Sequence, residues 1–318
     1  MDAELRRWGE RVLGEMEERL GLPRPDWGAV ARRWDGVPEE ARGAVWSAVE
    51  LVWQERLAAA WGEGFGVRVE GERLLTTDLP TGEAAAVMGA VDRSLATIDR
   101  ALAGLGLFED GGVTPGSEAA GYDVVIVCRR VEDYLDYVAD LDGPEHVGAV
   151  SGGVCVRGGG AVHVVAHGRE GEALRGVLAH ELAHARLAEM ELPVWLEEGL
   201  VTHLENAVVP SEAYAPNMQT VAMHRGFWTP RRLDGFFSGE AFCGEDDADG
   251  LPYRLAYTVV GNLMAEDREA FVDLLATATW EDCGASACRE VYGRELGEMV
   301  PRFVRAAAEK NDTGGEEG

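Results

Sequence analysis

Lysine is almost absent from this 318-residue chain, in which Lys310 is the single example and arginine supplies the remaining positive charge. Acidic residues outnumber basic ones by 57 to 29, so the net charge at neutral pH is −28. Nucleic acids and anionic membrane surfaces are bound by basic patches. Neither is therefore an expected partner, and the excess of acid predicts a strongly hydrated surface.

Long apolar runs are missing as well. No stretch approaches the roughly 20 uncharged apolar residues that cross a bilayer, and residues 1–7 have no apolar run of the kind that a signal peptide carries. The five cysteines are odd in number and irregularly spaced, which is not the pattern of a disulfide framework. We therefore expect a soluble, cytoplasmic protein with reduced thiols.

Hydrophobic periodicity divides the chain into three parts. Residues 1–62 carry apolar and tryptophan side chains at three-to-four-residue spacing, which predicts a helical N-terminal extension. Short β-type runs follow, and they predict strands on both sides of the turn at 70–72 and at 122–128, 147–156 and 161–166. Beyond residue 170 the pattern is helical, with helices predicted at 172–190, 194–206, 253–265, 268–277 and 294–309.

Together these elements predict an α+β fold with a small mixed sheet packed on one helix. The apolar fraction of 46% is enough to build a sizeable core. The predicted organisation is a helical extension at 1–62, one domain at 63–310 with a mainly helical C-terminal part, and a disordered acidic tail at 311–318.

One motif carries chemistry, the sequence H-E-x-x-H formed by His180, Glu181 and His184. On a helix, residues four apart project from nearly the same face, so two imidazoles at this spacing are able to share one tetrahedral zinc ion. Glu181 points beside the metal, where it is placed to take a proton from a zinc-bound water. The motif therefore predicts a hydrolytic zinc site.

A zinc ion with two histidine ligands needs a third protein ligand. Thirteen residues separate His184 from Glu198, which is enough to finish one helix, turn and return with a second helix. Helical periodicity does not distinguish Glu198 from its neighbour Glu197. Both carboxylates remain candidates on spacing alone.

The two segments together resemble the gluzincin metallopeptidases, in particular the bacterial peptidase-MA-like domains. The resemblance is carried by the H-E-x-x-H motif and by Pro193, Trp195, Leu196, Glu198, Gly199 and Leu200. It implies a zincin-like fold, Zn²⁺ held by His180, His184 and Glu198, and cleavage of a peptide or protein substrate. It is strong at 180–200 and loose over the rest of 65–310.

A later segment, 253–263, resembles a helix of the aminopeptidase branch of that family. The resemblance implies that Tyr253 donates a hydrogen bond to the reaction's oxyanion, with Tyr257 as the alternative. Thr202 departs from the pattern, because the best-known gluzincins have at this position an aspartate that orients a histidine ligand. Glu205 is a substitute for that role.

The other histidines have weaker cases. His163 and His167 are expected to be structural, His203 would close the metal site if it were a fourth ligand, and His224 has only its downstream position to suggest a role at the oxyanion. The strand at 161–166 is expected to form a sheet edge that pairs with an extended peptide.

Two other functions remain open. One is a catalytically idle zinc-binding protein that regulates or binds a partner through its N-terminal helices, and the other is a zinc hydrolase of a non-peptide amide or ester. Glu181 argues against the first, because a purely structural metal site has no use for a general base.

Overall fold

A computed structural model describes residues 2–34, 36–107, 121–139, 152–158, 161–169, 171–214, 217–243 and 250–313. The fold is a mixed α+β arrangement, as the sequence pattern predicts. The chain divides into two compact units, the first formed by Met1–Asp99 and Gly111–Ala188 and the second by Arg100–Asp110 and Glu189–Gly318. No helix among these described residues is both long enough and apolar enough to span a membrane.

The first unit opens with a helix, a hairpin and two more helices. Their bounds are Ala3–Leu13 for α1, Met16–Arg19 for β1, Leu22–Pro25 for β2, Trp27–Trp34 for α2 and Arg42–Trp61 for α3. The region 1–62, predicted to be helical with a break at Pro23 and Pro25, contains strands at 16–19 and 22–25, where the helical prediction is wrong. Apolar spacing continues through Met16 and Leu20, but Gly14 takes a left-handed φ of +68° and ends α1. A turn with φ of +49° at Leu20 and +80° at Gly21 then reverses the chain.

The N-terminal helices pack on the sheet of the same unit. Val45, Val49 and Trp53 of α3 share a core cluster with the sheet residues Leu74 and Val124. Tryptophan rings extend this cluster through tilted and edge-on contacts at 5.2–5.8 Å between the pairs Trp27–Trp46, Trp27–Trp53 and Trp34–Trp46. The tryptophan stripe is thus packing surface, and a domain boundary at 62/63 stays a prediction.

The central sheet has the strand order β3-β4-β5-β7-β6. The strands are Gly66–Glu70 for β3, Arg73–Thr77 for β4, Asp123–Cys128 for β5, Gly153–Gly158 for β6 and Ala161–His167 for β7. β3 and β6 pair antiparallel with their neighbours, whereas β4, β5 and β7 run parallel. Helix α4, Thr81–Leu105, follows β4 in the chain, and helix α5, Val131–Val138, follows β5. The strand predicted at 147–156 is described only from residue 152 onwards, because 147–151 lie outside the described residues.

The expected sheet edge at 161–166 is wrong. β7 lies inside the sheet between β5 and β6, and β6 is the edge strand. The burial of the two strands explains the difference, because the run from Val164 to Ala166 is fully buried while β6 is only partly so. A strand buried on both faces belongs in the interior of a sheet.

The helix that carries the motif is α6, Glu172–Arg186, which is shorter than the predicted 172–190. Leu174, Leu178 and Leu182 are buried along one face. His180 and His184 lie on another face and are half-buried. Helical periodicity thus separates the packing face of α6 from the face that bears the histidines.

The second unit is helical among its described residues. Its helices are Val194–Val208 for α7, Met218–Phe227 for α8, Pro230–Ser238 for α9, Leu251–Glu266 for α10, Arg268–Thr277 for α11, Ala285–Tyr292 for α12, Leu296–Met299 for α13 and Arg302–Thr313 for α14. The single helix predicted at 294–309 is wrong, because Pro301 has no N–H to donate and Val300 before it is extended with ψ of 151°. The predicted tail at 311–318 is corrected too, since α14 continues to residue 313 and only 314–318 lie outside the described residues.

Helix α10 packs closely on α7 at Gly199. A Cβ atom at this position would lie 2.7 Å from the carbonyl oxygen of Ala256 and would also overlap Val260. Glycine therefore permits the approach of the two helices directly beside Glu198.

Candidate metal centre

The Nε2 atoms of His180 and His184 face each other. Their Nε2 atoms are 3.2 Å apart, and their ring planes meet at 70°. Two ligands at 2.0–2.1 Å from one tetrahedral ion are about 3.3 Å apart. The spacing of the pair on α6 therefore matches that of two ligands of a single zinc ion.

A carboxylate completes a group of three. Three possible ligand atoms, one from each of His180, His184 and Glu198, lie within 4.8 Å of one another. Among the described residues, this is the one group of three or more His, Cys, Asp or Glu side chains that lie this close together. The group contains Glu198 and not Glu197. Helical periodicity alone does not distinguish these two glutamates. Two imidazoles and one carboxylate are a donor set that suits divalent transition metals, zinc among them.

Glu181 is buried beside the histidines, with only 7% of its surface exposed. A Cβ atom at Gly153, the first residue of β6, would lie 3.1 Å from Glu181 Cγ and 2.6 Å from Val177 Cγ1. The lack of a side chain at Gly153 thus makes room for the glutamate under the edge strand.

Arg157, near the end of β6, contacts the last turn of α6. Its Nη2 donates to the carbonyl oxygen of His184 at 3.0 Å and lies 3.5 Å from His184 Nδ1. A guanidinium has no acceptor, so Arg157 does not take the role of the acceptor that usually orients a metal-bound imidazole. No sequence motif marks this residue, because only strand pairing brings it to the helix.

The opposite side of α6 is held by ion pairs. Arg186 donates to Asp99 at 2.8 Å and to both oxygens of Asp123 at 2.5 and 3.3 Å. Arg73 donates to the same Asp123 at 2.6 Å and to Asp92 at 3.0 Å. This network ties the C-terminal end of α6 to β4, β5 and α4.

Thr202 and His203 of α7 each make a hydrogen bond to a backbone carbonyl. Thr202 donates its hydroxyl to the carbonyl oxygen of Glu198 at 2.7 Å within the helix. His203 bonds through Nε2 to the carbonyl oxygen of Tyr257 at 2.8 Å and stacks on its ring at 3.8 Å. Burial lowers the pKa of His203, and His203 is not a member of the His180–His184–Glu198 group.

The candidate oxyanion donors differ in their surroundings. Tyr253 packs edge-on against Phe242 at 5.2 Å, whereas Tyr257 is stacked between His203 and Tyr214, the latter at 4.9 Å. Tyr214 is a residue that no sequence pattern identifies. Burial, with the charges of Glu205 and Glu198, raises its pKa to about 12, so its hydroxyl stays protonated within the electrostatic reach of Glu198.

The remaining histidines are packing residues. His163 is buried, bonds to the Tyr137 hydroxyl at 2.7 Å and meets Trp53 edge-on, and His167 lies against the ring of Tyr134. Burial, together with the nearby charge of Arg254, lowers the pKa of His224 to about 4, and its Nδ1 accepts from the Trp228 indole at 2.8 Å.

No protein-family model and no curated protein matches the chain. The assignment of a function therefore rests on the residues and their geometry.

Proposed function

We propose that this protein is a zinc-dependent hydrolase with a zincin-like active site, and that its substrate bond is a peptide bond. The observation that supports this most is the convergence of His180, His184 and Glu198 to within 4.8 Å. In this proposal the three side chains hold Zn²⁺. A bound Zn²⁺ would act as a Lewis acid that polarises the substrate carbonyl and lowers the pKa of a water molecule.

Glu181 has the role of general base and then general acid. Its carboxylate accepts a proton from the attacking water and later delivers it to the leaving amine. Glu181 directly follows the proposed ligand His180 and is buried under Gly153, which supports a role beside the ligand pair. This is the feature that favours an enzyme over an idle zinc-binding protein.

The edge strand β6 is the proposed platform for the substrate. Its outer side faces away from β7, and an extended peptide adds to an exposed sheet edge through main-chain hydrogen bonds. β6 replaces residues 161–166 in this role, because β7 is already paired on both sides. Tyr253 is the proposed donor to the oxyanion.

The test is cleavage of a broad peptide library by the zinc-loaded protein, with Glu181→Gln as the matched inactive variant. We expect cleavage that depends on zinc and is reduced at least about 100-fold by the substitution, while the bound zinc stays unchanged. Zinc binding without any cleavage of peptides would instead favour a hydrolase of another amide or ester, or a regulatory zinc protein. Assays with amide and ester model compounds would separate those two.

A further inference from the structure

Helices α4 and α6 run side by side in the first unit, in the same direction. At one end, Arg169 lies just before α6 and pairs with Glu83 of the first turn of α4 at 3.4 Å. At the other end, Arg186 is the last residue of α6 and pairs with Asp99 at 2.8 Å. Between the two ion pairs the helices leave a groove of about 290 Å³, which none of the proposed metal ligands lines.

The floor of this groove is apolar. It includes four buried side chains, two from each helix: Val87, Ala90, Leu174 and Leu178. Gly89 lines the same groove. Outside its own helix backbone and chain neighbours, a Cβ atom built there would meet, among the described residues, only Nη1 of Arg93, at 3.2 Å. The absence of a side chain at Gly89 thus keeps the groove open above the apolar floor.

Two arginines, Arg93 of α4 and Arg175 of α6, line the groove with exposed side chains. Among the described residues no carboxylate lines it with them, and neither guanidinium makes a hydrogen bond or an ion pair. In a chain whose net charge is −28, two positive charges without an acidic partner form a local excess of the opposite sign. A guanidinium binds a carboxylate through a planar fork of N–H groups. The groove therefore offers two carboxylate-binding groups beside an apolar floor.

The shape of the groove favours a segment of protein as its occupant. It extends along residues 85–93 of α4, which is about 12 Å or two turns of helix. A groove between two helices receives the side-chain ridge of a third, and an amphipathic helix binds an apolar groove through side chains three or four residues apart. Pockets for small molecules are more enclosed and mostly larger, at about 300–1,000 Å³.

We propose that this groove is a docking site for an amphipathic helix of a partner protein. The helix places apolar side chains on the floor and acidic side chains beside Arg93 and Arg175. It binds α6 on a different face from the one that bears the histidines. Docking there requires neither a bound metal nor peptidase activity, so it stands or falls separately from the proposed function.

Selection of peptides supplies the probe for a test. A phage-displayed library of randomised peptides of about 16 residues, long enough to form a helix, would be selected on the Glu181→Gln protein, so that bound peptides are not cleaved. The enriched peptides should carry two apolar residues three or four positions apart, with at least two Asp or Glu residues next to them. Fluorescence anisotropy of the labelled synthetic peptides then measures the Kd.

Three variants in the same background locate the binding. Arg93→Gln/Arg175→Gln removes both charges and should raise the Kd about 10-fold. Gly89→Leu fills the groove without a change of charge and should raise the Kd at least about 10-fold. Arg7→Gln/Arg302→Gln removes two exposed arginines outside the groove and should leave the Kd within about twofold. Circular dichroism melts of all three verify that they fold.

Several results would overturn the proposal. These are no enrichment of peptides, enriched peptides that lack acidic residues, or a Kd that the two groove variants leave unchanged. Binding of decanoate but of no peptide, with the same dependence on the two arginines, would make the groove a site for a small amphiphilic anion instead. A dimer in light scattering that Gly89→Leu dissociates would make a second copy of this chain the occupant.

Discussion

Arg186, the last residue of α6, holds Asp123, the first residue of β5, through both of its terminal nitrogens. The side chains are only 14% and 19% exposed, and Arg73 shares the same carboxylate. The helix that bears the two proposed histidine ligands is thus anchored to the sheet by a partly buried ion-pair network. Breaking a buried pair leaves a charge without compensation and is costly.

Arg186→Met should therefore destabilise the protein by about 3 kcal/mol, with a smaller loss if water reaches Asp123. Urea unfolding followed by circular dichroism measures the change. Arg100→Met is the control, because Arg100 is an exposed arginine on α4 and its replacement should cost less than about 0.5 kcal/mol. Equal effects of the two substitutions would show that the network adds nothing to stability.

Glu50 should make the stability depend on pH. It is 4% exposed and accepts from the backbone N–H of Tyr122 at 2.7 Å. Burial raises the pKa of this carboxyl from 4.5 to about 8. The folded state therefore binds a proton that the unfolded state has lost between these pH values.

The contribution of Glu50 to the free energy of unfolding is fully present below about pH 4.5. It is lost as the pH rises towards 8, and the loss is on the order of 4 kcal/mol. Glu50→Gln removes this titration. From pH 5 to pH 9 the free energy of unfolding should therefore decrease in the wild type relative to that of the variant. Urea unfolding at several pH values tests this. Parallel pH profiles of the two proteins would mean that Glu50 does not titrate in this window.

Gly199 should not tolerate a side chain. Gly199→Ala places a methyl group 2.7 Å from the carbonyl oxygen of Ala256, so α7 and α10 must move apart at a cost of about 1–3 kcal/mol. Gly226→Ala is the control, since among the described residues no atom outside its own helix backbone and chain neighbours lies within 4 Å of a Cβ built there. It should be neutral or stabilising by up to about 1 kcal/mol. A neutral Gly199→Ala would refute close packing at this point.

The two tyrosines of α10 should differ in catalysis. Tyr253→Phe removes the proposed oxyanion donor and should lower kcat/KM about 100-fold, mainly through kcat. Tyr257→Phe should cost less than about threefold, because the Tyr257 ring is stacked between His203 and Tyr214 and phenylalanine preserves that stacking. Steady-state kinetics of both variants on a cleaved peptide measures these changes in kcat/KM. A large loss in Tyr257→Phe and a small one in Tyr253→Phe would instead make Tyr257 the oxyanion donor.

Local sequence signals predict the parts of this fold that depend on neighbouring residues. The hairpin at 66–77 follows from alternating apolar residues around Gly71, and α11 at Arg268–Thr277 has the predicted bounds. The helix at 172–186 and its motif are also visible, because period and composition agree there. The stop of α1 at Gly14 is missed, since one glycine in a left-handed conformation overrides an apolar pattern that continues beyond it.

Relations between distant residues are not contained in such signals. The placement of β6 rather than β7 at the edge depends on which strand pairs with β5. The positions of Arg157 and Tyr214 depend on strand pairing and on stacking with Tyr257. Both Glu197 and Glu198 satisfy the helical period, and the three-dimensional arrangement groups Glu198, and not Glu197, with the two histidines.

The most direct test of the central claim is the zinc content of the purified protein, with Glu198→Ala and Glu197→Ala compared. We predict about one zinc per chain in the wild type, retention in Glu197→Ala and a loss of most of it in Glu198→Ala. A wild-type protein that purifies without metal and cannot be loaded would contradict the account.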